Sequence, residues 1–107
     1  MVAPEIVEAV QGYLKALRGH GIAAKFGVVF GSQATGCTHK WSDIDLVVVS
    51  PQYDAQRCFE DVALLWRIAA ETDARIEPIP CGEKQWVEDD SSAIIEIARR
   101  EGQAVGA

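Results

Sequence analysis

The sequence lacks the features that mark several whole classes of protein. No apolar run approaches the roughly 20 residues needed to span a membrane, and the N-terminus has no basic segment followed by an apolar one. The three cysteines, Cys37, Cys58 and Cys81, are far apart and odd in number, which argues against both a disulfide framework and a zinc knuckle. We therefore expect a cytoplasmic protein in a reducing setting, with no membrane association.

Basic residues are also scarce. Ten Lys and Arg stand against 16 Asp and Glu, which gives a formal net charge of −6. Sequence-independent nucleic-acid binding arises when Lys and Arg neutralise phosphates, so direct binding to nucleic acid is not expected. A basic protein partner would suit this charge better.

The length and composition predict one globular domain over residues 1–107. Hydrophobic residues make up 49% of the chain and charged residues 24%, values that are ordinary for a folded protein and unlike those of a disordered one. A chain of 107 residues can form one modest core but leaves no room for a second domain that would hold a substrate.

Hydrophobic periodicity and turn residues predict alternating helices and strands. The predicted elements are a helix from Pro4 to about Arg18, a strand over Ala23–Phe30, a strand over Asp43–Ser50, a helix capped by Asp54 and ending near Thr72, a strand over Arg75–Pro80, a polar acidic stretch over Glu83–Asp90, a helix over Ala93–Arg100 and a short strand over Gln103–Val105. Pro78 and Pro80 each remove a backbone donor, so the third strand is expected at a sheet edge. The expected fold class is α/β (α+β), with a small mixed sheet of three to four strands flanked by helices.

A glycine turn follows the first predicted strand. The apolar strand ends at Phe30 and is followed directly by Gly31 and Ser32, with a second glycine at Gly36. Glycine permits both a tight turn and close approach of the backbone to a ligand, and the amides that follow such a turn can bind a phosphate. A plain structural turn is the alternative for the Gly31-Ser32 pair alone.

Paired acids stand at the start of the second predicted strand. Asp43 and Asp45 are two residues apart, so in a strand their carboxylates face the same way and repel each other unless a divalent cation lies between them. Glu77 on the neighbouring edge strand is the candidate third carboxylate. The alternatives are an acid pair that keeps the sheet soluble and an ordinary exposed glutamate.

Together these residues resemble a known signature. Gly31-Ser32, Gly36 and the run Ser42-Asp43-Ile44-Asp45-Leu46-Val47-Val48 resemble the G-S…G…S-D-I-D-L-x-V motif of the polymerase-beta-like nucleotidyltransferase superfamily. The short length is similar to that of its minimal nucleotidyltransferases, many of which act as the antitoxin of a HEPN-type toxin.

The resemblance implies a role for each matching residue. Gly31 and Ser32, with Ser42, would bind the nucleotide, and Asp43, Asp45 and Glu77 would be catalytic and would bind Mg²⁺, with two ions expected. Many members carry Arg where this chain has Gln33, and Asp where it has Glu77, so the chain departs from the pattern at two positions.

The implied reaction is transfer of a nucleoside monophosphate, AMP from ATP, onto a hydroxyl. Because this chain has no second domain, the acceptor is expected on another molecule, and the family suggests a tyrosine of a HEPN-type toxin. Two alternatives stay open: a small-molecule nucleotidyltransferase of the aminoglycoside-modifying kind, and an antitoxin that neutralises by binding alone. A homodimer and a hetero-oligomer are both compatible with the sequence.

Overall fold

The computed structural model describes residues 2–35, 42–55, 58–89 and 91–106. Within these ranges, five α-helices and a short 3-10 helix surround a sheet of four strands. In chain order the elements are α1 (Pro4–Gly19), β1 (Phe26–Phe30), α2 (Ser32–Thr35), β2 (Ile44–Val49), the 3-10 helix (Pro51–Asp54), α3 (Phe59–Thr72), β3 (Ile76–Cys81), α4 (Glu83–Glu88), α5 (Ala93–Glu101) and β4 (Gln103–Gly106).

The sheet is mixed, with the strand order β3-β2-β1-β4. Strand β1 runs antiparallel to both β2 and β4, and β2 runs parallel to β3. The prediction of a small mixed sheet flanked by helices is confirmed. None of the helices in the described ranges has both the length and the apolar composition needed to cross a bilayer.

The larger part of the core lies between one face of the sheet and the helices α1 and α3. The apolar spacing of α1 places Val10, Tyr13, Leu14 and Leu17 on one buried side of the helix. The Tyr13 hydroxyl donates a hydrogen bond of 2.9 Å to the backbone carbonyl of Leu65 in α3. This buried bond joins the two helices over the sheet.

A smaller cluster covers the other face of the sheet. Here Val28 of β1 and Val47 of β2 pack with Ile95 and Ala98 of α5. The same face carries Asp45 and Glu77, because they alternate in phase with Val47 and Ile79 along their strands. The candidate site therefore lies on the side of the sheet that α4 and α5 cover.

The edge position predicted for β3 is confirmed, and the backbone nitrogens of its two prolines face the outer edge. The N–H groups of Ile44 and Ser50 donate to the carbonyls of Arg75 and Cys81, so the odd-numbered positions of β3 are those that bond to β2. Pro78 and Pro80 are even-numbered and present their nitrogens to the outer edge. Each proline therefore removes a donor where no ladder bond is needed.

The expected role of Asp54 was wrong. Helix α3 begins at Phe59 with Cys58 at its N-cap, whereas Asp54 ends the 3-10 helix. The Asp54 carboxylate instead accepts hydrogen bonds from the backbone N–H groups of Lys84 and Gln85, at 3.1–3.2 Å. Asp54 therefore caps the N-terminus of α4. The sequence predicts only a polar stretch here, because the residue that caps this helix lies about 30 residues away in the chain.

Several strand boundaries also differ from those predicted. Strand β1 begins at Phe26 rather than Ala23, and β2 begins at Ile44 rather than Asp43. Strand β3 covers Ile76–Cys81, one residue later than expected at each end. The shift at β2 matters for the site, since Asp43 precedes the strand and Asp45 lies within it.

Candidate active site

The turn after β1 requires glycine for two separate reasons. Gly31 has a φ of +73°, in the left-handed region that residues with a Cβ rarely adopt. A Cβ at this position would also overlap the side-chain carboxylate of Asp45. Ser32 begins α2 directly after the turn, and the N–H of Ala34 donates to the Gly31 carbonyl at 3.1 Å. Gly31 and Ser32 therefore lie beside the acidic strand, while Gly36 lies outside the described residues.

Asp45 lies at the centre of the candidate site. In the sheet it is directly opposite Phe30 of β1 on one side and Glu77 of β3 on the other. Directly opposed residues of paired strands project from the same face, so Asp45 and Glu77 point the same way. The two side chains are close enough for Asp45 to raise the pKa of Glu77, both by hydrogen bonding and by its charge.

Glu77 has a raised pKa. Partial burial is the largest cause, followed by the charge of Asp43 and then by the hydrogen bond to, and the charge of, Asp45. Asp43 is exposed, just before β2, and its influence on Glu77 is through its charge. The three predicted acids are thus within electrostatic reach of one another.

The three acids do not form a complete metal site as they stand. Among the residues that the structure describes, no three His, Cys, Asp or Glu side chains are close enough together to hold a metal ion. Asp45 and Glu77 lie opposite each other on adjacent strands, and Asp43 acts on Glu77 through its charge from just before β2. Carboxylate oxygens are nevertheless the ligands that Mg²⁺ prefers, and a divalent cation would relieve the repulsion that, after burial, contributes to the raised pKa of Glu77. The donor chemistry fits Mg²⁺.

Gln33 is one of two buried polar or charged residues among those described. Its side-chain amide donates to the backbone carbonyl of Ser42 at 3.1 Å and to that of Asp43 at 3.3 Å. Both acceptors are carbonyl oxygens, so the nitrogen of the Gln33 amide must face them. Gln33 therefore holds the segment after the Gly31 turn against the backbone of Ser42 and Asp43.

Most of the chain matches one known protein family. Residues 12–101 match the family model of the nucleotidyltransferase domain. The protein belongs to this nucleotidyltransferase family. No curated protein sequence gives a significant match.

Solved structures share the fold of this nucleotidyltransferase. A protein of Sulfolobus solfataricus assigned as a nucleotidyltransferase superposes with a TM-score of 0.65 at 14% identity, covering 94% of this chain and 78% of that one. A toxin-antitoxin structure with AMP-PNP gives a TM-score of 0.61 at 17% identity, covering 92% and 70%. A MntA-HpeT toxin-antitoxin mutant with two Asp-to-Glu changes two positions apart gives 0.58 at 17% identity, covering 88% and 69%.

The sequence did not predict the contacts that Gln33 makes in this nucleotidyltransferase. The resemblance treats Gln33 as the loss of a phosphate contact that Arg provides in many members. The buried side chain instead points at the backbone of Ser42 and Asp43. Its position one residue after the Gly31-Ser32 turn gave no signal of this, because the contact crosses nine to ten residues of sequence.

Proposed function

We propose that this nucleotidyltransferase transfers AMP from ATP to a hydroxyl group of a partner protein, in a reaction that depends on Mg²⁺. The observation that carries the proposal is the pairing of Asp45 with Glu77 on one face of the sheet, with the Asp45 carboxylate against Gly31. A carboxyl pair placed against a glycine turn suits a metal-bound triphosphate. Packing alone gives no reason for two acids in contact.

Each residue of the site has a proposed role. Gly31, Ser32 and Ser42 bind the nucleotide, and Asp43, Asp45 and Glu77 hold Mg²⁺, with two ions expected. When bound, the ions would orient the triphosphate and neutralise charge on the attacking and leaving oxygens.

Glu77 is also the proposed general base. In the reaction the acceptor oxygen bonds to the α-phosphorus of ATP, the bond to pyrophosphate breaks, and the hydroxyl proton passes to a carboxylate. Glu77 projects from the same face of the sheet as Asp45, which places its carboxylate to accept this proton. Positioning and charge neutralisation would provide most of the acceleration, as in other phosphoryl transfers.

The proposed acceptor is a hydroxyl of a HEPN-type toxin, with the present chain as its antitoxin in the cytoplasm. The net charge of −6 favours a basic protein partner. Two of the structural neighbours are toxin-antitoxin structures, one of them with AMP-PNP, and this likeness of fold supports the proposal.

Transfer can be tested with ATP labelled on the α-phosphate. The protein is incubated with labelled ATP, Mg²⁺ and the product of the neighbouring gene, and we expect label on that product. Asp43→Asn and Asp45→Asn should each abolish labelling. Glu8→Gln, which removes an exposed carboxylate from α1, is the matched control and should leave labelling unchanged.

Two outcomes would contradict the proposal. Toxin neutralisation that survives both Asn variants would indicate an antitoxin that acts by binding alone. Label on an aminoglycoside hydroxyl and not on the protein would indicate a small-molecule nucleotidyltransferase.

A further inference from the structure

Helix α3 has a second apolar side that faces away from the core. Leu65, Ile68 and Ala69 are its buried residues. The second side, which we call the outer stripe, consists of Phe59, Ala63, Trp66 and Ala70. All four are exposed, Phe59 by 83% and Trp66 by 47%. Large apolar side chains at this exposure mark an interaction surface when they form a continuous patch.

The spacing of the outer stripe is that of a coiled-coil seam. Its residues follow one another at intervals of four, three and four, which are the alternating steps of a heptad repeat. Beside the stripe lies a groove of about 340 Å³ lined by Glu60, Ala63, Leu64 and Arg67. Four residues at i, i+3, i+4 and i+7 form the kind of hole that receives a side chain from a facing helix. The spacing of the outer stripe and the shape of this groove both fit a facing helix.

We propose that the helix is α3 of a second copy of this chain, packed antiparallel about a two-fold axis between residues 64 and 65. In that arrangement Trp66 of each copy lies over Ala63 of the other, and Phe59 lies over Ala70. Every large side chain faces a small one. A parallel arrangement would instead place Phe59 against Phe59 and Trp66 against Trp66.

The charges beside the stripe match the same arrangement. Glu60 and Arg67 are both exposed and occupy equivalent positions of successive heptads on one side of the seam. An antiparallel pair brings Glu60 of each copy beside Arg67 of the other, which gives two opposite-charge pairs. In a parallel arrangement the flanks that carry Glu60 and Arg67 would lie on opposite sides of the seam, so these charges would not meet. A contact about a two-fold axis needs a self-complementary surface. The outer stripe is self-complementary in side-chain size, and Glu60 and Arg67 beside it are self-complementary in charge.

The association can be tested by sedimentation velocity on the full chain across the micromolar range. We expect a concentration-dependent dimer. Trp66→Glu should shift the equilibrium to monomer, while Glu8→Arg, an exposed charge change on α1, should leave it unchanged. A chain that is monomeric at every concentration would overturn the proposal, as would a dimer that Trp66→Glu does not weaken.

Charge reversal tests the antiparallel pairing itself. Glu60→Arg and Arg67→Glu should each weaken the dimer several-fold, and the double variant should recover the original affinity. Glu60 and Arg67 lie about 10 Å apart along the helix axis, so recovery cannot come from a bond within one helix. Failure of the double variant to recover, with each single variant folded by circular dichroism, would overturn the pairing. None of these measurements depends on nucleotide transfer, so the two proposals fail separately.

Discussion

Asp45 lies opposite Glu77 in the parallel pairing of β2 with β3, and its side chain helps to raise the pKa of Glu77. Two acids in this relation cannot both be ionised without a cost, unless a cation lies between them. The site is therefore more stable when it is either partly protonated or bound to a metal. The effect of each acid can be measured as a change in melting temperature as well as a change in activity.

Asp45→Asn should raise the melting temperature in the absence of divalent cations. The raised pKa of Glu77 means that the folded state disfavours ionised Glu77, so the cost is absent below the unfolded pKa near 4.5 and grows as the pH rises above it. Removing the Asp45 charge lowers this cost. The gain in melting temperature should be present at neutral pH and should vanish as the pH falls toward 4.5.

After addition of Mg²⁺ and AMP-PNP, the wild type should have a higher melting temperature than Asp45→Asn. The wild type should gain melting temperature through binding, and Asp45→Asn should gain little because it lacks a proposed ligand. Differential scanning fluorimetry measures both effects. Equal gains in the two proteins would show that Asp45 takes no part in binding.

Gly31→Ala should destabilise the fold by about 1–3 kcal/mol, the usual range for a residue forced into a rarely populated backbone region. It also places a methyl group where the Asp45 carboxylate lies. Gly12→Ala is the matched control, since a Cβ at Gly12 meets nothing within 4 Å and alanine favours the helix. Chemical denaturation should show a loss of stability for the first variant and a small gain for the second.

Gln33→Met should weaken the binding of Mg²⁺ with AMP-PNP while the protein stays folded. Methionine has a similar length but no donors, so the carbonyls of Ser42 and Asp43 lose their bonds to the side chain, at a cost of about 1–3 kcal/mol. Gln33→Arg keeps donors at this position and should bind more tightly than Gln33→Met. Isothermal titration calorimetry gives the affinities. An unchanged affinity together with a lower melting temperature would limit Gln33 to a role in stability.

Asp54→Ala should lower the melting temperature at neutral pH by removing the cap of α4. Hydrogen bonds from the backbone N–H groups of Lys84 and Gln85 lower the pKa of Asp54, and the first of these is the largest cause. A carboxylate with a lowered pKa stabilises the fold above its unfolded pKa near 3.8, and this contribution is lost as the pH falls through the native value. The difference between variant and wild type should therefore shrink below pH 3.8 in a thermal-unfolding series. A difference that is constant with pH would contradict a role for the charge.

Much of this architecture was readable in the sequence because its signals are local. The apolar spacing of α1, the run of β-branched residues in β2 and the prolines of β3 each act within one element. Each predicted the type of its element correctly and its ends to within about one residue. The motif residues likewise identified the nucleotidyltransferase family, which the match over residues 12–101 confirms.

The parts that were missed depend on contacts between residues far apart in the chain. Asp54 caps α4 across about 30 residues, and Gln33 holds Ser42 across nine. A residue's own neighbours in the sequence cannot reveal such partners, because they come together only in the folded chain. The metal, nucleotide and acceptor assignments of Asp43, Glu77 and Ser32 remain predictions.

The nitrogens of Pro78 and Pro80, which face the outer edge of β3, affect how this protein behaves at high concentration. The outward N–H groups of a border strand are the donors that an intruding polypeptide would need, and Pro78 and Pro80 have none. The remaining outward donor, at Ile76, is already used by the carbonyl of Asp73. Within β3, the border of the sheet beside Glu77 thus offers an intruding strand no free backbone donor, which disfavours fibril-type growth next to the candidate site.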